Sequence, residues 1–242
     1  MMEPWVIHAI ELRKRLLKAL LGFGIIFSLC ILFANTLYTH AVSSFLWPVT
    51  YKATLIATHV TTSFTTPIQL SFYLALLISL PWILLQLWGF IQPALYPTEQ
   101  RTVRKYVLFS ISAFYTGAFL AWAFVCPIAL SFFHNTAPSN VQWMPEIGAY
   151  LDFILDLMLG FGFAFQLPLV LHVLLDKGYV QVSQLIAARR YMIVFAFVLG
   201  MILTPPDVLS QILMAIPLIL LYEGFIWHHR KKERVSNLAQ TI

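Results

Sequence analysis

The sequence predicts an all-α integral membrane protein with six transmembrane helices, the last two short, and with both termini cytoplasmic. Three observations lead there. Of the 242 residues 60% are hydrophobic and only 10% charged, whereas soluble domains carry about 25% charged residues. Apolar segments of roughly 20 residues recur along the chain, the helix length that crosses about 30 Å of hydrocarbon. Lysine and arginine fall almost entirely in alternate connections between those segments. No stretch has the composition of a separate soluble domain, so residues 1–242 read as a single membrane domain.

The first span is placed at 17–36. Its basic approach, HAIELRKRLL at 8–17, precedes an apolar run longer than the core of an export signal, and no small-x-small cleavage site closes it, so the segment is expected to remain as a span. Residues 37–69 are rich in threonine and aromatic residues, with Trp47, Pro48 and Pro67. They read as an ordered outer cap with interfacial aromatic anchors, or as a plain connector. The second span is predicted at 70–91 and the third at 109–130, joined by LWGFIQPALYPTEQR, 87–101. There Trp88, Phe90 and Tyr96 mark an interface, and Pro93 and Pro97 break the helix ahead of Glu99. A second outer cap is expected over 134–150, HNTAPSNVQWMPEIGAY, whose turn formers carry one carboxylate, Glu146.

The fourth span is predicted at 151–174, the fifth at 191–204 and the sixth at 209–226. The last two are short, about 21 and 27 Å at 1.5 Å per residue. Two thin spans or a re-entrant hairpin turning at TPPD both satisfy the pattern. Orientation comes from charge. Arg13, Lys14, Arg15 and Lys18 precede the first span, Arg101, Arg104 and Lys105 follow the second, Lys177, Arg189 and Arg190 follow the fourth, and Arg230, Lys231, Lys232 and Arg234 form the tail. Only Lys52 among the 15 basic residues lies on the other side. Since positive charge accumulates in cytoplasmic loops, both termini are assigned there. The net charge of +5 follows from this asymmetry, and no nucleic-acid partner is implied.

The sequence lacks HExxH, GxSxG and glycine-rich phosphate motifs. No enzyme, cofactor or metal site is therefore expected. Cys30 and Cys126 fall inside apolar runs and read as small buried hydrophobes. His172 reads as a hydrogen-bonded packing residue. Ionisable groups inside a span are costly unless paired or hydrated, so Asp152 and Asp156, four apart at the start of the fourth span, are either hydrated interfacial carboxylates or functional. Gln166, in FGFAFQLPLV, is either glue between helices or a docking point for another protein's polar group. In MILTPPDVLSQ, 201–211, Thr204, Asp207 and Gln211 surround two prolines. Asp207 is placed to cap the sixth helix. Glu11 and Arg15 are four apart and can pair on a helix.

HAIELRKRL, QLWGFIQPALYPTE, FGFAFQLPLV and GMILTPPDVLSQ occur in an order and spacing that resembles the TatC family, the multispanning subunit of the twin-arginine (Tat) protein translocase. The resemblance implies a cup-like six-helix bundle in the cytoplasmic (inner) membrane. It implies a receptor for export signals with paired arginines on folded cargo, and a scaffold for the single-span TatA and TatB subunits in a complex of several copies. Carried over residue by residue, it implies signal-peptide binding by Glu11 and Glu99, with Phe90 and Pro93 shaping the nearby surface. It implies partner-helix contact around Gln166, Met201, Thr204, Asp207 and Gln211. Two departures stand out: Gln166 replaces a common glutamate and cannot ionise, and Gln100 with Arg101 replaces two basic residues after Glu99. A secondary transporter would instead predict internal repeats and midplane charges, and a purely structural anchor would tolerate neutralisation of Glu11 and Glu99.

Overall fold

The computed structural model describes residues 4–45, 55–59, 61–91, 100–138, 143–203 and 208–240. Ten α-helices occupy most of these residues: α1 Pro4–Leu32, α2 Ala34–Phe45, α3 Thr62–Ile91, α4 Gln100–Leu120, α5 Cys126–Thr136, α6 Ile147–Ala164, α7 Leu167–Asp176, α8 Val182–Ala187, α9 Arg189–Leu203 and α10 Val208–Gln240. A π-helical turn, Ala121–Val125, joins α4 to α5. Among the described residues the only β-type pairing is an isolated bridge between Ile56 and Glu146.

Among the described residues five helical stretches are long and apolar enough to cross a membrane: His8–Leu32, Thr62–Phe90, Lys105–Thr136, Ile147–Asp176 and Gln211–Lys231. They carry the predicted first, second, third, fourth and sixth segments. The predicted segment 191–204 corresponds to α9, whose 15 residues give about 22 Å, short of the roughly 30 Å hydrocarbon layer.

Boundaries differ from the sequence expectation for identifiable reasons. The first span ends at Leu32 rather than 36, because the chain turns at Phe33, whose N–H reaches the Cys30 carbonyl at 3.2 Å, before α2 begins. The second starts at Thr62 rather than 70. Pro67, read as part of a cap, lies inside α3, in its second turn, where the loss of one N–H leaves the rest of the ladder intact. The third is longer than 109–130 and contains the π turn. Pro127 cannot donate to Ala123, and the helix widens so that the Cys126 N–H bonds the Ala121 carbonyl five residues back. The fourth is not continuous: α6 and α7 meet at a turn over Phe165 and Gln166, where Gln166 N–H donates to the Phe163 carbonyl at 3.0 Å. Pro168 sits in the first turn of α7, a position that tolerates a missing donor.

The chain divides into two compact units, one of Met1–Ser112 with Ser139–Leu155, the other of Ala113–Pro138 with Asp156–Ile242. In the first, α1 runs along α3, with Phe72 set edge-on to both Phe23 and Phe27. Its connecting segments are pinned to each other. Ile56 N–H donates to the Pro145 carbonyl at 3.2 Å, Ile147 N–H to the Ile56 carbonyl at 3.0 Å, and Thr62 Oγ1 to Glu146 Oε1 at 3.1 Å.

In the second unit, glycines let helices approach closely. A Cβ at Gly117 would stand 2.5 Å from the Phe161 carbonyl oxygen, and one at Gly162 would enter the Phe114 ring. Small residues serve this purpose where lipid, as apolar as the side chains, offers little hydrophobic drive for helices to associate. Leu17, Leu20, Leu21, Ile25 and Leu29 are exposed along α1. In water such a face would aggregate, whereas acyl chains solvate it.

Candidate functional site

α1 carries Glu11, Arg15, Lys18 and Gly22. Offsets of four, seven and eleven residues place them on one helical face. That face meets α3. Gly22 has no side chain, so the Trp82 indole lies against the helix there and its Nε1 donates to the Lys18 carbonyl at 2.9 Å. Two turns nearer the N-terminus the arrangement repeats with a charge. Gly89 of α3 receives the Arg15 guanidinium, and a Cβ at position 89 would stand 2.6 Å from Nη1, 2.9 Å from Cζ and 3.3 Å from Nη2.

Arg15 also faces Glu11, its Nη2 3.6 Å from Oε1, with the two side chains 33% and 31% exposed. That distance exceeds the roughly 2.7–2.9 Å of a strong charge-assisted hydrogen bond. The pair is thus a partly exposed ion contact, a class that contributes about 0.3–0.5 kcal/mol at i,i+4 spacing. The next residue of α3 after Gly89 is half-buried Phe90. Trp88, buried, stacks on Tyr106 of α4 at 5.5 Å and 28°, so the last turns of α3 and the first turns of α4 are held side by side. Glu11 and the Phe90 end of α3 are therefore connected through Arg15. Pro93 and Glu99 lie outside the described residues.

The second group of expected residues is distributed differently. Gln166 is half-buried at the α6–α7 turn, directly before Leu167 and Pro168, and its carbonyl accepts from Val170 N–H at 3.0 Å. Met201 is 64% exposed on α9. The Gln211 amide of α10 instead turns to α9, where Nε2 donates to the Phe197 carbonyl at 2.9 Å, and Gly200 makes room for its stem. Thr204 and Asp207 lie outside the described residues.

Several contacts were not foreseen. Glu223, an ionisable residue within the predicted sixth span, holds Arg189 at 2.7 Å. A carboxylate inside an apolar segment was itself the available signal. His172 has Nδ1 3.4 Å from His229 Nε2 and Nε2 3.4 Å from Asp176. Tyr222 donates to the Leu185 carbonyl at 2.8 Å. The Gly89 seat for Arg15 had no signal in the sequence, because it depends on how α1 and α3 are registered.

Long apolar helices that pack through glycines, and a partly exposed carboxylate–guanidinium pair in the N-terminal half of α1, define a multi-pass α-helical membrane protein with an ionic site at the edge of its apolar layer. The comparisons with known proteins narrow that class. The family described as Sec-independent protein translocase protein (TatC) matches residues 7–217. The TatC proteins of Haemophilus influenzae and Escherichia coli K12 are 43% and 42% identical over 222 and 228 residues, covering 91% and 94% of this chain and 86% and 88% of theirs. A crystal structure of the twin-arginine translocase receptor TatC, determined in the detergent DDM, superimposes with a TM-score of 0.81 at 37% identity, covering 91% of this chain and 98% of that one. The chain belongs to the TatC family, and it is a component of the Sec-independent, twin-arginine protein translocase.

Proposed function

We propose that this chain is the signal-peptide receptor and core scaffold of the translocase, binding twin-arginine signals of folded cargo and assembling, in several copies, with TatA and TatB. The single observation that carries the reading is the Glu11 carboxylate, already engaged by a guanidinium at 3.6 Å, next to the Gly89–Phe90 end of α3. Glu11 and Glu99 receive the signal's arginines, and Phe90 and Pro93 shape the adjoining surface. The region of Gln166, Met201, Thr204, Asp207 and Gln211 contacts partner helices.

Chemistry supports the choice of arginine. A guanidinium presents a planar fork of donors that a carboxylate accepts in a bidentate manner, and an ammonium cannot reproduce it. Two charge-assisted contacts contribute at most about 6 kcal/mol, whereas micromolar binding requires about 8. The signal's apolar segment must therefore add contacts of its own. No step in this function breaks or forms a covalent bond, so the chain acts as a receptor and not as an enzyme.

Within this reading the whole chain forms one membrane domain in the cytoplasmic (inner) membrane. The basic clusters at 13–18 and 230–234 support cytoplasmic termini. With both ends on one side the number of crossings is even, and α9 supplies the sixth as a thin span around which the bilayer contracts. The test is a photo-crosslinker at Glu99 challenged with signals bearing two arginines or two lysines. Strong labelling by the arginine signal alone is expected, and equal labelling by both would remove the receptor assignment.

A further inference from the structure

Resting on that receptor reading, we infer that Arg15 is a resident occupant of the signal-arginine seat: it pairs with Glu11 in the unliganded chain and must be displaced before an incoming arginine binds. Three features carry this. The pair is local, four residues apart on one helix, and its 3.6 Å separation leaves the contact easily exchanged. Both side chains are about one-third exposed, so the carboxylate can be reached without opening the α1–α3 contact. The seat itself is shaped for a guanidinium. Nη1, Cζ and Nη2 of Arg15 all lie within 3.3 Å of where a Cβ at Gly89 would stand, so the guanidinium occupies the space that the missing side chain leaves, one residue from Phe90.

An arginine arriving from a signal offers Glu11 the same planar fork and finds the same bare backbone. Until then Arg15 keeps the carboxylate compensated at the edge of an apolar layer, where an unpaired charge is costly. The consequence is a threshold. Apparent affinity is the intrinsic affinity multiplied by the fraction of chains in which Glu11 is free. A partly exposed i,i+4 pair of ordinary strength holds that fraction at about one-third. The same factor applies to every ligand, so Arg15 sets how tightly any signal must bind and leaves the preference for arginine over lysine to the fork geometry.

The test uses the full chain in complex with its partner subunits in nanodiscs, titrated with a fluorescent signal peptide carrying two arginines. Arg15→Gln is expected to tighten binding about threefold. Lys14→Gln removes the same charge from the neighbouring exposed position and is expected to change binding by less than that. A gain in Lys14→Gln equal to that of Arg15→Gln would reduce the effect to general repulsion and overturn the inference, as would unchanged or weaker binding in Arg15→Gln. Gly89→Ala fills the seat and is expected to weaken binding with or without Arg15; tightening there would show that signal and Arg15 do not share it. Thermal unfolding of each complex identifies variants that fail to fold, and for these the milder Arg15→Lys, expected to tighten binding by a smaller factor, is read instead. Glu11→Gln separates the two levels of argument. If it leaves binding intact, the receptor reading fails. If it weakens binding while Arg15→Gln brings no gain, only the present inference fails.

Discussion

The α1–α3 and α9–α10 pairings solve the same problem with different contacts. Each joins two apolar helices through a glycine and polar side chains. Along α1–α3 a neutral bond crosses, Trp82 Nε1 to the Lys18 carbonyl at 2.9 Å, but the charged pair is internal to α1, long at 3.6 Å, and meets α3 at the bare backbone of Gly89. Along α9–α10 the ion pair itself crosses from helix to helix, Arg189 to Glu223 at 2.7 Å, beside the neutral bond of Gln211 Nε2 to the Phe197 carbonyl at 2.9 Å. Tyr222, also on α10, reaches the Leu185 carbonyl of α8 at 2.8 Å. A contact within one helix can be exchanged without separating helices. A contact between helices cannot, and this suits α9, which has only 15 residues with which to hold its place.

The largest effect should come from the glycines. Gly22→Ala drives a methyl group into the Trp82 ring and threatens the indole bond to the Lys18 carbonyl. Overpacking of this kind costs about 1–3 kcal/mol, more than the roughly 1 kcal/mol that alanine gains over glycine in a helix. Gly200→Ala meets the Gln211 Cγ at 3.1 Å and backbone at 3.3 Å. A few tenths of an ångström of adjustment suffices there, so it should be close to neutral. Thermal unfolding in detergent compares them; equal losses would mean that the two pairings are equally tight.

The next effect is at Gln211→Leu. The amide bond to the Phe197 carbonyl should be worth about 0.6 kcal/mol, up to roughly 1.7, and its loss should appear as lowered stability with α9 loosened. Co-purification of partners, measured beside unfolding, sharpens the outcome. Reduced partner recovery at unchanged stability would show that the amide serves a partner helix and not α9.

How much of this was legible in the sequence depends on the range of the interaction. Apolar segments declare themselves by composition, and the Glu11–Arg15 pair by its spacing of four, because both are local. The break at Gln166 was half-visible, since Pro168 two residues on was readable but the turn it requires was not assigned. The seats at Gly22 and Gly89 were not legible. A glycine in a span is uninformative until the register of the opposing helix places Trp82 or Arg15 upon it. The Arg189–Glu223 pair spans 34 residues, and only the oddity of a carboxylate in an apolar run pointed to it. Pro93, Glu99, Thr204 and Asp207 rest on the family motifs they share.

The smallest expected effect tests whether the α1–α3 pairing carries polar groups for function and not for strength. Gln86 is 8% exposed on α3, four residues after Trp82 and three before Gly89, and its Oε1 has no hydrogen-bond partner among the described residues. A buried acceptor left unsatisfied costs about 1–3 kcal/mol, while an apolar group of similar shape avoids that cost. Gln86→Leu should therefore leave stability unchanged or raise it by up to about 1 kcal/mol, in contrast to Gln211→Leu, where a similar replacement removes a bond that is made. If Gln86→Leu instead destabilises the chain as much as Gln211→Leu does, the carboxamide holds the helices together through its N–H side, and the α1–α3 pairing depends on a buried amide as α9–α10 does, beyond the Trp82 bond to the Lys18 carbonyl. If stability holds while signal binding weakens, the free oxygen is a further acceptor for the incoming peptide, one turn deeper than the seat at Gly89.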